Sequence, residues 1–192
     1  MSYCTLAQVK AYKTIETDTD DELLTALIAR ATARIDRHCH RTFAAALGTH
    51  YLDAVADVEG RTLYLDDDFL TVEEVENGDG TILISTDYVL LPPNLTPKYA
   101  VKLLASSGKA WTFVTDPEQA IRVQGSIGYS ATPPEDIVQA AVRLSRWYYD
   151  QRDAPFETTG MPETGVMTVP TALPVDIRDI LDDGGYVRQA VR

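Results

Sequence analysis

Thr132-Pro133-Pro134-Glu135-Asp136-Ile137 marks the place where an alternating residue pattern stops and a helical one begins. The threonine offers a capping hydroxyl, proline suits the first helical position, and glutamate follows where its charge meets the helix N-terminus. Beyond it Ile137, Ala141, Leu144 and Tyr148 recur at helical spacing, which predicts a helix over about 133–151 with a buried stripe. Gln139, Arg143 and Trp147 lie on a neighbouring face, so this helix is expected to be covered on more than one side. Before it, from about His50 to Tyr129, Tyr, Val, Ile, Leu and Thr alternate with polar residues between turn signals. That pattern predicts strands at 51–54, 62–65, 70–76, 81–84, 88–91, 99–104, 110–114 and 120–129. Asn77-Gly78-Asp79-Gly80 tolerates positive φ and predicts an antiparallel hairpin, while Gly125 and Gly128 suggest a bulge or a close backbone approach.

Further towards the N-terminus the period is helical again. Thr5 with Gln8 forms a capping box ahead of a short helix at about 5–12, and Thr19 with Glu22 repeats the box. Leu23, Leu24, Leu27, Ile28, Ala31 and Ile35 then share one face of a helix at about 20–39. Acids crowd its start and Arg30, Arg34, Arg37 and Arg41 its end, as the helix dipole favours. After Arg152 the chain becomes rich in Pro and Thr up to Pro174, which reads as an extended linker. A last short helix from Val175 uses Ile177, Ile180 and Leu181 as its apolar edge and stops at Gly184-Gly185. The fold class expected is α+β: a small helical bundle with an antiparallel β region inserted between the second and third helices, plus an extended C-terminal arm. In domain terms this gives a body over 1–153, a linker over 154–174 and an arm over 175–192.

Composition narrows the function. The 192 residues carry a formal net charge of −12 with 45% hydrophobic residues, ordinary for a globular chain. An acidic surface cannot displace counterions from phosphates, so stable nucleic-acid or anionic-membrane binding is not expected. No apolar run approaches a membrane span and no signal-peptide core is visible, which suggests a soluble, unexported protein. Cys4 and Cys39 are read as free thiols in or near the core.

Candidate chemistry is sparse. His38-Cys39-His40 holds metal-binding atoms, but residues two apart on a helix point in nearly opposite directions, and no CxxC or HxxxH accompanies them. Asp66-Asp67-Asp68 and Glu73-Glu74 do not match a calcium loop and read as solvated acidic turns. Gly125-Ser126-Ile127-Gly128 lacks the third glycine of a phosphate loop, and Ser145 has no evident His partner. No catalytic residue, metal or cofactor is expected. Trp147-Tyr148-Tyr149 spans two helix faces, so one ring is core and at least one meets another element or another subunit.

The order of these parts is recognisable. Thr5-Leu6-Ala7-Gln8-Val9-Lys10, then Asp20-Asp21-Glu22-Leu23-Leu24 through Ile28, Ala31 and Ile35 to Arg41-Thr42-Phe43, resembles the opening of tailed-phage head-to-tail connector proteins, also called adaptor or head-completion proteins. Gly128-Tyr129-Ser130, Pro133-Pro134-Glu135-Asp136-Ile137, Gln139-Ala140-Ala141 and Tyr149-Asp150-Gln151-Arg152-Asp153 look like that family's late helix. Leu173-Pro174 with Ile177 and Ile180-Leu181 is similar to its C-terminal segment. The resemblance implies a non-enzymatic virion protein of the neck, made in the host cytoplasm, that forms a ring of probably twelve copies. Its implied partners are the portal protein, a stopper or tail-completion protein and its own copies, with DNA only in passing and no membrane. The residues so assigned are a portal-docking arm of Leu173, Ile177, Ile180, Leu181, Tyr186, Val187 and Arg188, and a subunit interface of Arg143, Trp147, Tyr149 and Arg152. Asp66, Asp67, Asp68, Glu73, Glu74 and Glu76 are assigned to an acidic channel or solvent face. Two readings from other classes are an acidic-site hydrolase, which would need a pocket of perturbed carboxylates, and an interaction domain of a cellular complex.

Overall fold

The computed structural model describes residues 2–151 and 173–188. The chain divides into two compact units, Met1–His40 with Pro134–Arg192, and Arg41–Pro133. The linker expected over 154–174 lies almost wholly outside the described residues.

Among its described residues the first unit holds four helices: α1 Leu6–Lys13, α2 Asp21–Cys39, α3 Glu135–Asp150 and α4 Val175–Asp183. At α1 the capping box forms as expected, Thr5 Oγ1 accepting from the Gln8 amide while Gln8 Oε1 accepts from the Thr5 amide. At α2 it does not. The N-cap is Asp20, with no side-chain capping bond, because its carboxylate instead accepts a hydrogen bond from the Tyr149 hydroxyl of α3. The face of α2 that points inward is the predicted one: Leu24, Ile28, Ala31, Ile35 and Cys39 are buried. His40 in the left-handed region, φ 53°, ends the helix.

The start of α3 also shifts. Pro134, not Thr132, is its N-cap, and Pro134 is extended with φ −55° and ψ 150°. A residue before proline is driven out of the α region, so the pair Pro133-Pro134 delays the helix to Glu135. Burial covers Ile137, Ala140, Ala141, Val142, Leu144, Ser145 and Tyr149, more than one side as expected. The deep aromatic ring is Tyr149, whereas the half-buried Tyr148 carries the Arg30 guanidinium 4.4 Å above its ring.

The C-terminal segment differs most from an extended arm. Ile177 and Leu181 of α4 are buried, as are Leu173 and Tyr186, and α4 packs on α3. Each buried aliphatic of this kind contributes about 1.5–3 kcal/mol relative to exposure. Nine helical residues gain little from isolation, so the apolar edge closes onto the helices of its own chain. Gly184 and Gly185 end α4 as predicted, Gly185 with φ 68°.

The second unit is a seven-stranded antiparallel sheet: β1 Ala46–Leu52, β2 Val58–Glu59, β3 Thr62–Glu76, β4 Ile82–Leu83, β5 Tyr88–Leu91, β6 Lys98–Leu103 and β7 Ile121–Ile127. Its order is β1-β7-β3-β6-β5, with β2 and β4 each paired to β3. β3 fuses two predicted strands and carries the Asp66–Asp68 run inside it, where a register shift between Tyr64 and Phe69 separates its two pairing halves. Leu52, Leu63, Leu65, Phe69, Val75, Val101, Leu103, Ile121 and Val123 form the core of the sheet unit. Asn77 to Gly80 makes the expected hairpin turn, and Gly125 the expected close approach: a Cβ there would lie 2.1 Å from the Thr71 carbonyl oxygen. The strand expected at 110–114 is absent. The segment instead makes one parallel bridge, Phe113 to Gly78, and is held by the buried Asn77, whose Nδ2 donates to Ala110 O at 3.0 Å and Thr112 Oγ1 at 2.9 Å.

Candidate functional site

The helical unit presents a groove of about 260 Å³ lined by Tyr12, Arg143, Arg146, Trp147, Asp150, Pro174, Asp176 and Ile177. Its floor is one face of α3, because Arg143, Arg146, Trp147 and Asp150 follow one another at intervals of three, one and three. The end of α1 supplies Tyr12 and the start of α4 supplies Pro174, Asp176 and Ile177. Arg143 Nη1 meets Asp176 Oδ2 at 3.1 Å, and Arg146 Nε meets Asp150 Oδ2 at 3.3 Å one turn along. The Arg146 guanidinium also sits 5.4 Å from the centre of the Tyr12 ring. The hydrogen bond to Arg143 holds the Tyr12 hydroxyl below its ordinary pKa. Lys13 bonds Asp150 and lies 4.4 Å over the Tyr149 ring.

Two guanidinium planes and two aromatic rings, Tyr12 being 45% exposed, offer stacking and charge pairing. Arg143 and Trp147, two of the expected interface residues, stand side by side in it. Tyr149 does not join them, since its ring is buried and its hydroxyl is committed to Asp20. Arg152 lies outside the described residues. Tyr12 and Arg146 were not singled out by the sequence; the interval of three from Arg143 to Arg146 was the available signal, while Tyr12 needs the tertiary fold to reach them.

The acidic set divides. Asp66 and Glu73 are exposed. Asp67 Oδ2 is 3.5 Å from His50 Nε2. Asp68 departs from a solvent face: it is buried, with Arg41 Nε 3.3 Å from its Oδ2 and the Arg41 guanidinium 5.0 Å from the Tyr129 ring. Glu74 and Glu76 share Arg122, which bonds them through Nη2 at 2.6 Å and 2.5 Å. A buried anion needs such a cation, whereas an acid at the sheet surface does not.

Of the expected docking arm, Leu173, Ile177, Leu181 and Tyr186 are turned into the helical unit, Ile180, Val187 and Arg188 are half-buried, and Val175 is 61% exposed. The Tyr186 hydroxyl donates to Asp136 Oδ2 at 3.1 Å, and the Arg188 amide donates to the Cys39 carbonyl at 2.8 Å. His38 lies 2.7 Å from Asp182, and Cys39 and Cys4 are buried and not in a disulfide. Among the described residues no three His, Cys, Asp or Glu side chains are placed to hold a metal ion, and no helix is long and apolar enough to cross a membrane.

A family model described as head completion protein matches residues 3–183. No curated protein matches the chain by sequence search. Among solved structures, a chain of the "neck of empty GTA particle computed with C6 symmetry" aligns with a TM-score of 0.58 at 15% identity, covering 97% of this chain and 90% of that one. A chain of the "neck of native GTA particle computed with C12 symmetry" gives 0.57 at 16% identity, covering 97% and 92%. A chain of the "virion of native gene transfer agent (GTA) particle" gives 0.56 at 16%, covering 97% and 91%. At these identities the likeness is one of fold.

Proposed function

The chain belongs to the head completion protein family, and from that premise we propose that it is a ring subunit of the neck of a tailed-phage-like particle. As a member of that family it is a structural protein, not an enzyme. In this reading copies of the chain, twelve to a ring, dock beneath a portal, continue the DNA channel and offer a platform to a stopper or tail-completion protein. The subunits are made in the host cytoplasm and end in the virion neck.

The observation that carries the reading is the extent of the family match, residues 3–183, which takes in both the helical unit and the sheet unit. The neck structures of similar fold were computed with sixfold and twelvefold symmetry, and both are compatible with a ring of twelve. Charge supports passage without capture: between Asp53 and Asp79 there are ten acids and one base, Arg61. Duplex DNA slides past such a surface because no counterions are released by contact. Asp66 and Glu73 are the exposed members assigned to the channel or outer solvent. The groove of Tyr12, Arg143, Arg146 and Trp147 supports a protein contact on the helical unit, and the C-terminal segment beside it is assigned to the portal through its exposed and half-buried residues, Val175, Ile180, Val187 and Arg188.

The test is assembly on a purified portal ring, followed by negative-stain imaging and mass measurement. Rings of uniform copy number on the portal support the proposal. A chain that stays monomeric both on the portal and in particles defeats it.

A further inference from the structure

We infer that the two open edges of the sheet are the two halves of one contact between copies, β1 of one copy meeting β5 of the next. The inference rests on the ring reading above and names the surfaces that close the ring. Among the described residues β1 pairs along one side only, in seven consecutive steps from Ala46↔Ile127 to Leu52↔Ile121. Among the same residues β5 pairs only with β6, from Tyr88↔Leu103 to Leu91↔Ala100. Open edges in single-chain proteins are guarded by charge, proline or a bulge. Neither Ala46–Leu52 nor Tyr88–Leu91 contains Lys, Arg, Asp, Glu or Pro, and neither pairing shows a register shift. β1 moreover exposes Leu47 at 74% and Tyr51 at 58%.

Charge selects a second copy as the occupant. From Asp87, which directly precedes β5, to Thr112 the chain carries Lys98, Lys102 and Lys109 against one acid, the buried Asp87. β1 runs directly into Asp53 and Asp57, and Asp67 lies 3.5 Å from its His50. In a chain of net charge −12, electrostatics favours a contact between copies where unlike patches meet. The lysine-flanked edge and the acid-flanked edge are such a pair. Lys98 Nζ holds the carbonyls of Pro92 and Pro93 at 2.6 and 3.2 Å, and Lys109 stands 3.8 Å from Asp87. Lys102, exposed on β6 opposite Val89, is therefore the cation most available to the neighbour. Two copies joined by β1 against β1 would bring acid to acid and stop at a dimer. Joining the two different edges is head-to-tail, the geometry that closes into rings. Four residues of β5 give only a short pairing, too weak to persist alone.

The test uses full-length chains assembled on the purified portal ring, with Thr49→Cys and Val89→Cys in one chain and a short bismaleimide as cross-linker. Cys4 and Cys39 are buried and set the background in the unsubstituted chain. The double variant is expected to give a covalent ladder beyond the dimer, and either single variant none. Lys102→Glu is expected to raise the concentration for half-assembly by about tenfold, and Lys102→Arg to leave it unchanged. Rings without a ladder, a ladder ending at dimers, or Lys102→Glu rings like those of the unsubstituted chain would overturn the edge contact and leave the ring reading standing. A failure of the unsubstituted chain to form rings on the portal would overturn both.

Discussion

His38 Nε2 at the end of α2 lies 2.7 Å from Asp182 Oδ1 at the end of α4. Two further clasps act in the same direction, Arg188 N to Cys39 O and the Tyr186 hydroxyl to Asp136. Together with the burial of Ile177 and Leu181 they make the C-terminal segment part of the helical unit. A segment can be both core and contact surface, because only one edge of α4 is turned inward.

Leu181→Ala is accordingly expected to lower stability by about 3 kcal/mol, the usual range for emptying a fully buried leucine site. Val175→Ala, at a side chain 61% exposed, should change it by no more than about 0.5 kcal/mol. Chemical denaturation of the two variants checks this, and equal effects would show that α4 is not held as described.

Gly125→Ala should be among the most damaging substitutions in the sheet. The new Cβ would lie 2.1 Å from Thr71 O and 3.1 Å from Val72 Cα, both backbone atoms that cannot swing away. A loss above about 2 kcal/mol is expected, or failure to fold. Gly60→Ala is the control: it has open space but a φ of 59°, so its cost should stay near 1 kcal/mol, roughly the strain of a left-handed residue. Thermal melts of both variants decide the order.

The particular residues show what sequence patterns could and could not decide. Helix faces were legible because Leu24, Ile28, Ala31 and Ile35 need only their own spacing to declare a side, and the hairpin was legible because Asn77 to Gly80 combines residues that tolerate its backbone. Asp66 to Asp68 misled because aspartate is rare in strands. Asp68 is tolerated in β3 only with Arg41 beside it, a residue 27 positions away. Residues 110–114 have strand-forming side chains, yet they make a single bridge, Phe113 to Gly78, while Asn77 bonds Ala110 and Thr112, so propensity was right about one pairing and wrong about a whole strand. Tyr148 and Tyr149 are adjacent rings on a helix, and Asp20, on another element, decides which one goes inside. The groove shows the same limit: Arg143 and Trp147 were legible on α3, but Tyr12 joins them only through the packing of α1.

Asn77 itself yields a prediction. Its Oδ1 accepts from the Thr112 amide at 3.1 Å while Nδ2 serves Ala110 and Thr112. Asn77→Ala removes the three bonds to the exposed Ala110 and the half-buried Thr112 and leaves a small gap at a buried site, and should destabilise the sheet unit by about 1–2 kcal/mol. Hydrogen exchange at the Thr112 amide should accelerate more than at the Val123 amide of β7. Equal acceleration at both sites would mean that residues 110–113 are held by something other than Asn77.

Asp36 gives a pH dependence whose sign is fixed by its surroundings. Burial pushes its carboxyl above the ordinary 3.8, against the hydrogen bond from the Tyr3 hydroxyl, which lowers it. A carboxyl that holds its proton more tightly in the fold than in the unfolded chain contributes stability that is full below the unfolded value and is lost as pH rises through the folded one. At pH 7 the ionised group therefore detracts from stability. Asp36→Asn removes the charge and keeps an oxygen that can accept from Tyr3. The variant should melt about 1–2 °C higher than the unsubstituted chain at pH 7, with the advantage shrinking towards zero near pH 3–4. Melting curves taken across that interval read the difference directly, and a variant less stable at pH 7 would mean that the Tyr3 bond outweighs the burial of the charge.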